Sequence, residues 1–300
     1  MNPDSKPDNI LVASAHRNPY PFYAALVAGP ALVFDAPRKL WIASSSAAVK
    51  EVLGNPACRV RPLAEPVPAA IVGSAAGEVF GYLVRMNEGL RHDAPKLALQ
   101  RFLAAADLDA VQARAQALAL RLAGEGDLRG AALSQWAFDL PVMAVAGLLG
   151  FGEEELPQVA RWMADFVACL SPLSTPAQLE AAGDAASALL ERFSELVKAS
   201  AARPGSALAR LQQEAAQVGW HDARALLCNA IGLLSQTYEA TAGLLGNSLV
   251  ALQQGTWAGD DAGALVEHVM LTDPPIINTR RFAAERCTIG GSVSITCSTN

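Results

Sequence analysis

The chain has 300 residues, of which 52% are hydrophobic and 17% charged, and it carries a formal net charge of −6. That is enough apolar chain for a large buried core, and the acidic balance excludes a nucleic-acid binder, which needs a basic face. No apolar run reaches the ~18 residues of a membrane span, the opening MNPDSKPDNI has no secretory pattern, and five cysteines without a CxxC pair read as reduced thiols of a cytoplasmic protein.

Residues 1–17 read as a flexible N-terminus, followed by the turn-rich Asn18-Pro19-Tyr20-Pro21-Phe22 and a short helix over 22–27. ALVF (31–34) and LWIA (40–43) flank a polar turn and predict a hairpin, and Ser44 to Ser46 supply N-caps for a helix that Gly54 closes. Residues 56–76, with four prolines, read as loop. From residue 92 to about 254 the chain reads as helices: 92–105, 108–122, 131–149, 156–170, 177–199, 206–217 and a long one over 222–254. A helix over 262–271 stops at Asp273-Pro274-Pro275, and two short strands flank Gly290-Gly291. The fold class is mainly α, a single domain over 1–300 with a small β-sheet built from both ends of the chain.

Most sequence signatures of chemistry are missing. There is no HExxH, Walker or GxSxG motif, and His16, His92, His221 and His268 have no metal-ligand spacing. Gly147-Leu-Leu-Gly150-Phe-Gly152 follows a helix and reads as its C-cap rather than as a nucleotide loop. The exception is the long helix, where LLSQTYEATAGLLGNSLVAL (233–252) sets Ser235, Gln236, Thr237, Glu239 and Thr241 between apolar turns. Such a patch either hydrogen-bonds its own helix carbonyls or supplies an acid and hydroxyls to chemistry.

Four segments in order carry a resemblance. They are NPYPFYAALVAGPALVFDAPRKLWIASSSAAVKEVLGNPACRVRP, RMNEGLRHDAPKLALQRFL, LLSQTYEATAGLLGN and VEHVMLTDPPIINTRRFAAERCTIGG. Together they resemble the bacterial cytochrome P450 family of haem-thiolate monooxygenases, from about Asn18 to Gly291. The resemblance implies a cytochrome P450-like helical fold, haem b as cofactor, a small apolar substrate and a ferredoxin-type redox partner. It implies that His92 and Lys96 hold one haem propionate and that Arg281, or its neighbour Arg280, holds the other. Their types fit, because a propionate at the edge of an apolar cofactor needs cations and donors, and residues four apart share a helix side. It makes the long helix the distal wall, with Glu239 and Thr241 as proton-relay residues at a local distortion of that helix. Ala240 stands where the commonest pattern has threonine, so the relay would run through Thr241, Thr237 or a water. Residues 62–85 and 156–199 would line the pocket, with Leu63, Val67, Ile71, Phe166 and Leu170 as apolar lining.

The match departs from the family at three places. The cysteine loop that binds iron would follow Gly291, and Cys297, in SITCSTN, has no such surroundings, so no metal ligand is assigned. The expected Glu-x-x-Arg ion pair falls on His268 and Leu271, with Glu267 out of register, and QQGTWAGDDAGAL is short by a helix. These departures imply a C-terminally truncated relative that is incompetent as a monooxygenase on its own, with an apolar proximal face that a protein partner would cover. The alternative is a haem-free, P450-like pseudoenzyme that binds or activates another enzyme.

Overall fold

The protein is described by a computed structural model covering residues 7–14, 16, 18–124, 129–171, 173–291 and 293–295, the side chains of 293–295 excepted. Cys297 lies outside the described residues. The chain divides into one unit from residues up to Pro66 together with those from Ile277 onwards, and a second unit over Val67–Ile276.

Both ends of the chain build the first unit. Within the stretch expected to be flexible, Asn9 caps a single helical turn, α1 (Ile10–Ala13), its Oδ1 accepting from the Leu11 and Val12 amides at 3.0 and 3.1 Å. α2 (Tyr20–Ala28) leads into strands β1 (Leu32–Asp35) and β2 (Leu40–Ala43), paired antiparallel from Leu32↔Ala43 to Asp35↔Leu40. Asp35 fixes their turn by accepting from the Arg38 amide at 3.3 Å and pairing with its guanidinium at 3.1 Å. The Ser45 hydroxyl then caps α3 (Ser46–Gly54) through the Ala48 amide at 3.2 Å. β3 (Cys58–Arg59), which the loop assignment over 56–76 passes over, pairs antiparallel with β4 (Phe282–Ala283) from the far end of the chain. β5 (Cys287–Ile289) pairs with β6 (Val293–Ile295). Cys58 and Ile289 form a small buried cluster with Leu32, Val52, Ala283 and Cys287 against it.

The second unit is helical: α4 (Ala75–Tyr82), α5 (Asp93–Ala104), α6 (Leu108–Gly124), α7 (Ala131–Leu149), α8 (Leu156–Ala168), α9 (Pro176–Ser200), α10 (Ala207–Gln217), α11 (Ala223–Gln254) and α12 (Ala262–Thr272). α4 corrects the loop reading of 62–85. Its alanines and glycines hide the helix from a periodicity search, while Ser74 starts it by accepting from the Gly77 amide at 3.1 Å. Gly77 is required there, since a Cβ would sit 2.1 Å from the Ile71 carbonyl oxygen. Side-chain caps open the long helices: Thr175 and Gln178 form a capping box on α9, and Ser206, Asp222 and Asp261 cap α10, α11 and α12. Gly150 ends α7 at φ 107, the C-cap expected from the glycine-rich run.

α11 packs against α4, α7, α8, α9 and α12, and α8 packs against α7 and α9. Phe166, Phe193, Met163, Leu189, Ile231 and Leu234 are fully buried among them, each contributing roughly 1.5–3 kcal/mol of apolar burial. Phe151 meets the Phe193 ring edge-on at 5.1 Å. α7 is long and apolar enough to cross a membrane by composition, and its apolar residues pack on α6, α8 and α11. Between Gln254 and Asp261 the chain contains no further helix.

Candidate functional site

The Asp222 carboxylate accepts from the Ala225 amide at 2.9 Å and starts α11. Over the next turns Ala225 to Gly232, Leu234 and Ser235 are buried. The helix then opens: Gln236 and Glu239 are exposed, Thr237, Tyr238, Ala240 and Thr241 are partly exposed, and Ala242 is covered again. α11 runs as one continuous helix from Ala223 to Gln254. In a regular helix each residue turns by about 100°, which puts Glu239 and Thr241 about 200° apart and Thr237 and Thr241 on one face. The Ser235 and Thr237 hydroxyls donate back to the Gly232 and Leu234 carbonyls at 3.1 and 2.8 Å. The Thr241 hydroxyl makes no hydrogen bond among the described residues.

A cation that the sequence pattern does not single out lies within electrostatic reach of Glu239. Arg85 lies in a 3-10 turn, Val84–Met86, directly after α4. The buried side chain of Asn229 pins that turn to α11: its Oδ1 accepts from the Val84 amide at 2.8 Å, and its Nδ2 donates to the Tyr82 and Ala225 carbonyls at 2.9 and 2.8 Å. Asn87, also buried, closes the turn by donating to the Gly81 and Leu83 carbonyls. Arg85 has an exposed surface, yet desolvation pushes its guanidinium below the ordinary value, partly offset by the Glu239 carboxylate. The sequence signals were a lone Arg in LVRM and a lone Asn in LLCNAIG, each a polar residue inside an apolar run.

On the other side of Glu239, Tyr238 stacks on Phe138 at 4.8 Å. Burial raises the Tyr238 phenol, and the Asp139, Glu239 and Asp165 carboxylates add to the shift. Asp139 is itself raised by burial, against a hydrogen bond from Gln135.

His92 sits at the N-cap of α5, its Nδ1 paired with Asp93 Oδ1 at 2.9 Å. The Lys96 amide donates to the His92 carbonyl at 2.8 Å, so one helical turn joins them, and the Lys96 side chain is exposed. Nε2 of His92 makes no hydrogen bond among the described residues. Arg280 and Arg281 belong to the other unit, where the Arg281 guanidinium donates to the Arg280 carbonyl at 2.8 Å and to Thr279 Oγ1 at 3.3 Å. Two of the expected lining residues, Ile71 and Phe166, are 2% and 0% exposed and belong to the helical core, because both pack inside it rather than toward the opening on α11. Leu63 is exposed, and Val67 and Leu170 are partly exposed.

The residues suit a haem in part. His92 and Lys96 match its anionic edge in type, and the opening on α11 offers small and polar side chains to a planar face. An axial ligand is another matter. Burial raises the Cys169 thiol to about 11 and Cys228 to about 12. Cys58 is raised to about 11 by burial and by the neighbouring Cys287 thiol, with which it shares a hydrogen bond. Without a metal these three thiols stay protonated at neutral pH, and binding iron would have to displace that proton. At the position of the expected proximal ion pair, Leu271 is 86% exposed and His268 stacks on Trp257 at 5.4 Å.

Among solved structures the chain is similar to CalO2, with a TM-score of 0.80 and 18% identity over 98% of this chain and 75% of that one. It is similar to P450BioI in complex with hexadec-9Z-enoic acid ligated acyl carrier protein, with a TM-score of 0.74 and 20% identity over 94% and 75%. It is also similar to epothilone B-bound cytochrome P450epoK, with a TM-score of 0.74 and 19% identity over 98% and 77%. No protein-family model matches the chain, and no curated protein does. At these identities the likeness is one of fold: the chain carries the cytochrome P450 fold.

Proposed function

We propose that this chain is a cytochrome P450-type haem protein of the monooxygenase class, whose 300 residues supply the distal wall, the substrate side and the propionate contacts. The observation that carries this reading is the mid-helix opening of α11, where a covered helix exposes Gln236 and Glu239 beside Arg85. When bound, haem supplies the oxygen-activating redox chemistry. His92 and Lys96 would hold one propionate edge, and Arg281 or Arg280 the other. Glu239 supplies the acid group of the relay. Thr241 and Thr237, on another face of the same helix, hand protons on through water rather than directly. The substrate is small and largely apolar, and electrons come from a ferredoxin-type partner. With no residue assigned as an axial thiolate, these residues alone are not expected to insert oxygen.

A haemin titration of the purified chain tests this, read by absorption before and after reduction under carbon monoxide. The expected result is haemin uptake weakened by His92→Ala with Lys96→Ala, and no thiolate-type red-shifted Soret band. A red-shifted band would overturn the incompetence, and unchanged uptake in the double variant would overturn the propionate roles.

Exposed Leu252, Met270 and Leu271 on α11 and α12 favour a second reading, a haem-free pseudoenzyme that binds another protein. Complete indifference to haemin together with a defined complex with a partner enzyme would select it.

A further inference from the structure

Cys58 and Cys287 stand far apart in the chain and together in the first unit. β3 is drawn to the far end of the chain by its pairing with β4 at Cys58↔Ala283, and the Ala284 amide continues that ladder by donating to the Ala57 carbonyl at 2.8 Å. α3 packs on both β3 and β5, and Glu51 on α3 accepts from the Gly290 amide at 2.9 Å, which holds β5 on the same helix. Successive side chains of a strand alternate, so Cys287 and Ile289 share one face of β5. Ile289 is fully buried in a cluster with Cys58, and Cys287 packs on that cluster. A hydrogen bond joins the two thiols. Cys58 is 9% exposed and Cys287 is partly exposed, so an outer thiol that a reagent can reach lies against an inner one that can resolve it.

We propose that Cys58 and Cys287 form a reversible disulfide, a redox lock that fastens the C-terminal strands of the first unit to β3. The oxidant is a small-molecule disulfide. The Cys287 thiolate attacks one of its sulfurs, displacing one thiolate and leaving a mixed disulfide on Cys287. The Cys58 thiol then gives up its proton to a displaced thiolate and attacks the Cys287 sulfur, which releases the second half of the reagent. Two protein thiols become one disulfide and the reagent is reduced to two thiols. In the reduced chain β3 and β4 are held by two residues each. The bond would close more than 200 residues into one loop, a strong constraint on the unfolded chain. In a reducing compartment a disulfide of this kind is transient and redox-sensing.

Incubation of the full chain with oxidised glutathione, followed by non-reducing peptide mapping by mass spectrometry, tests the proposal. The expected product is one Cys58–Cys287 cross-link that dithiothreitol reverses. Cys58→Ser should instead accumulate glutathione on Cys287, and Cys287→Ser should leave Cys58 unmodified in the folded chain. The cross-linked chain should melt several degrees higher and exchange backbone hydrogen more slowly over residues 57–59 and 283–289. A wild-type chain that keeps glutathione on Cys287, joins Cys287 to Cys297 or leaves both thiols free overturns the proposal. So does a Cys58–Cys287 cross-link that changes neither melting nor exchange, because it locks nothing.

Discussion

Replacing Asn229 with alanine should loosen the turn that carries Arg85 and cost the chain about 3 kcal/mol, a figure that follows from its three hydrogen bonds at about 0.5–1.5 kcal/mol each. The losses are unequal. The Ala225 carbonyl, inside α11, keeps its helical partner, whereas the Val84 amide loses its acceptor at 2.8 Å and the Tyr82 carbonyl its donor at 2.9 Å. A buried donor left without an acceptor carries a desolvation cost of roughly 1–3 kcal/mol, which lifts the total above the low end of the sum. Asn229 is only 3% exposed, so water does not easily replace it. Urea unfolding followed by far-ultraviolet circular dichroism gives the change in midpoint. Hydrogen exchange read by mass spectrometry over residues 82–87 gives the local effect. Exchange there should accelerate before the chain unfolds globally. A loss below about 1 kcal/mol with unchanged exchange at Val84 would refute the view that Asn229 fixes this turn.

Gly77→Ala should destabilise by more than about 2 kcal/mol, since its Cβ would meet a backbone oxygen that cannot swing aside; Gly81→Ala, facing a valine side chain at 3.3 Å, should cost less, and thermal melting of the pair checks the order. Hydrogen bonds from Arg192 and Arg224 hold the Glu155 and Glu78 carboxyls below the usual range. Depressed folded values stabilise the protein above the unfolded value, 4.5 for both, and that stability is lost as pH falls through the folded value. Urea midpoints measured at falling pH should therefore drop in acid, and Glu155→Gln should flatten that drop while costing about 1 kcal/mol at neutral pH. Cys169 and Cys228 should resist a thiol reagent in the native chain and react only on unfolding, which mass spectrometry of labelled peptides reads.

The helices that bear α-periodic apolar stripes were legible in the sequence. α7 matches its expected bounds, and α9, α10, α11 and α12 fall within a residue or two of theirs. The two short strands at the far end and the β1–β2 hairpin were legible for the same reason, since turn residues bracket them. α1 and α4 were not. α1 is a single turn held by one asparagine, and α4 is built of alanine and glycine whose apolar spacing is too weak to register against the prolines before it. β3 escaped because two residues make no pattern, and only pairing with Phe282–Ala283 across the chain defines it.

The polar centre of α11 shows where a pattern stops short of a site. Residue types and order placed an acid and hydroxyls in a covered helix, and the structure does open the helix at that point. The sequence could not say which groups meet. That depends on whether the helix stays regular, and an unbroken α11 turns Glu239 away from Thr241 by more than half a turn. It depends equally on a contact between residues 145 positions apart, the bond from the Val84 amide to Asn229, which holds the turn bearing Arg85 against α11. Local spacing reports which side chains share a helix face, but long-range hydrogen bonds decide which charges face one another.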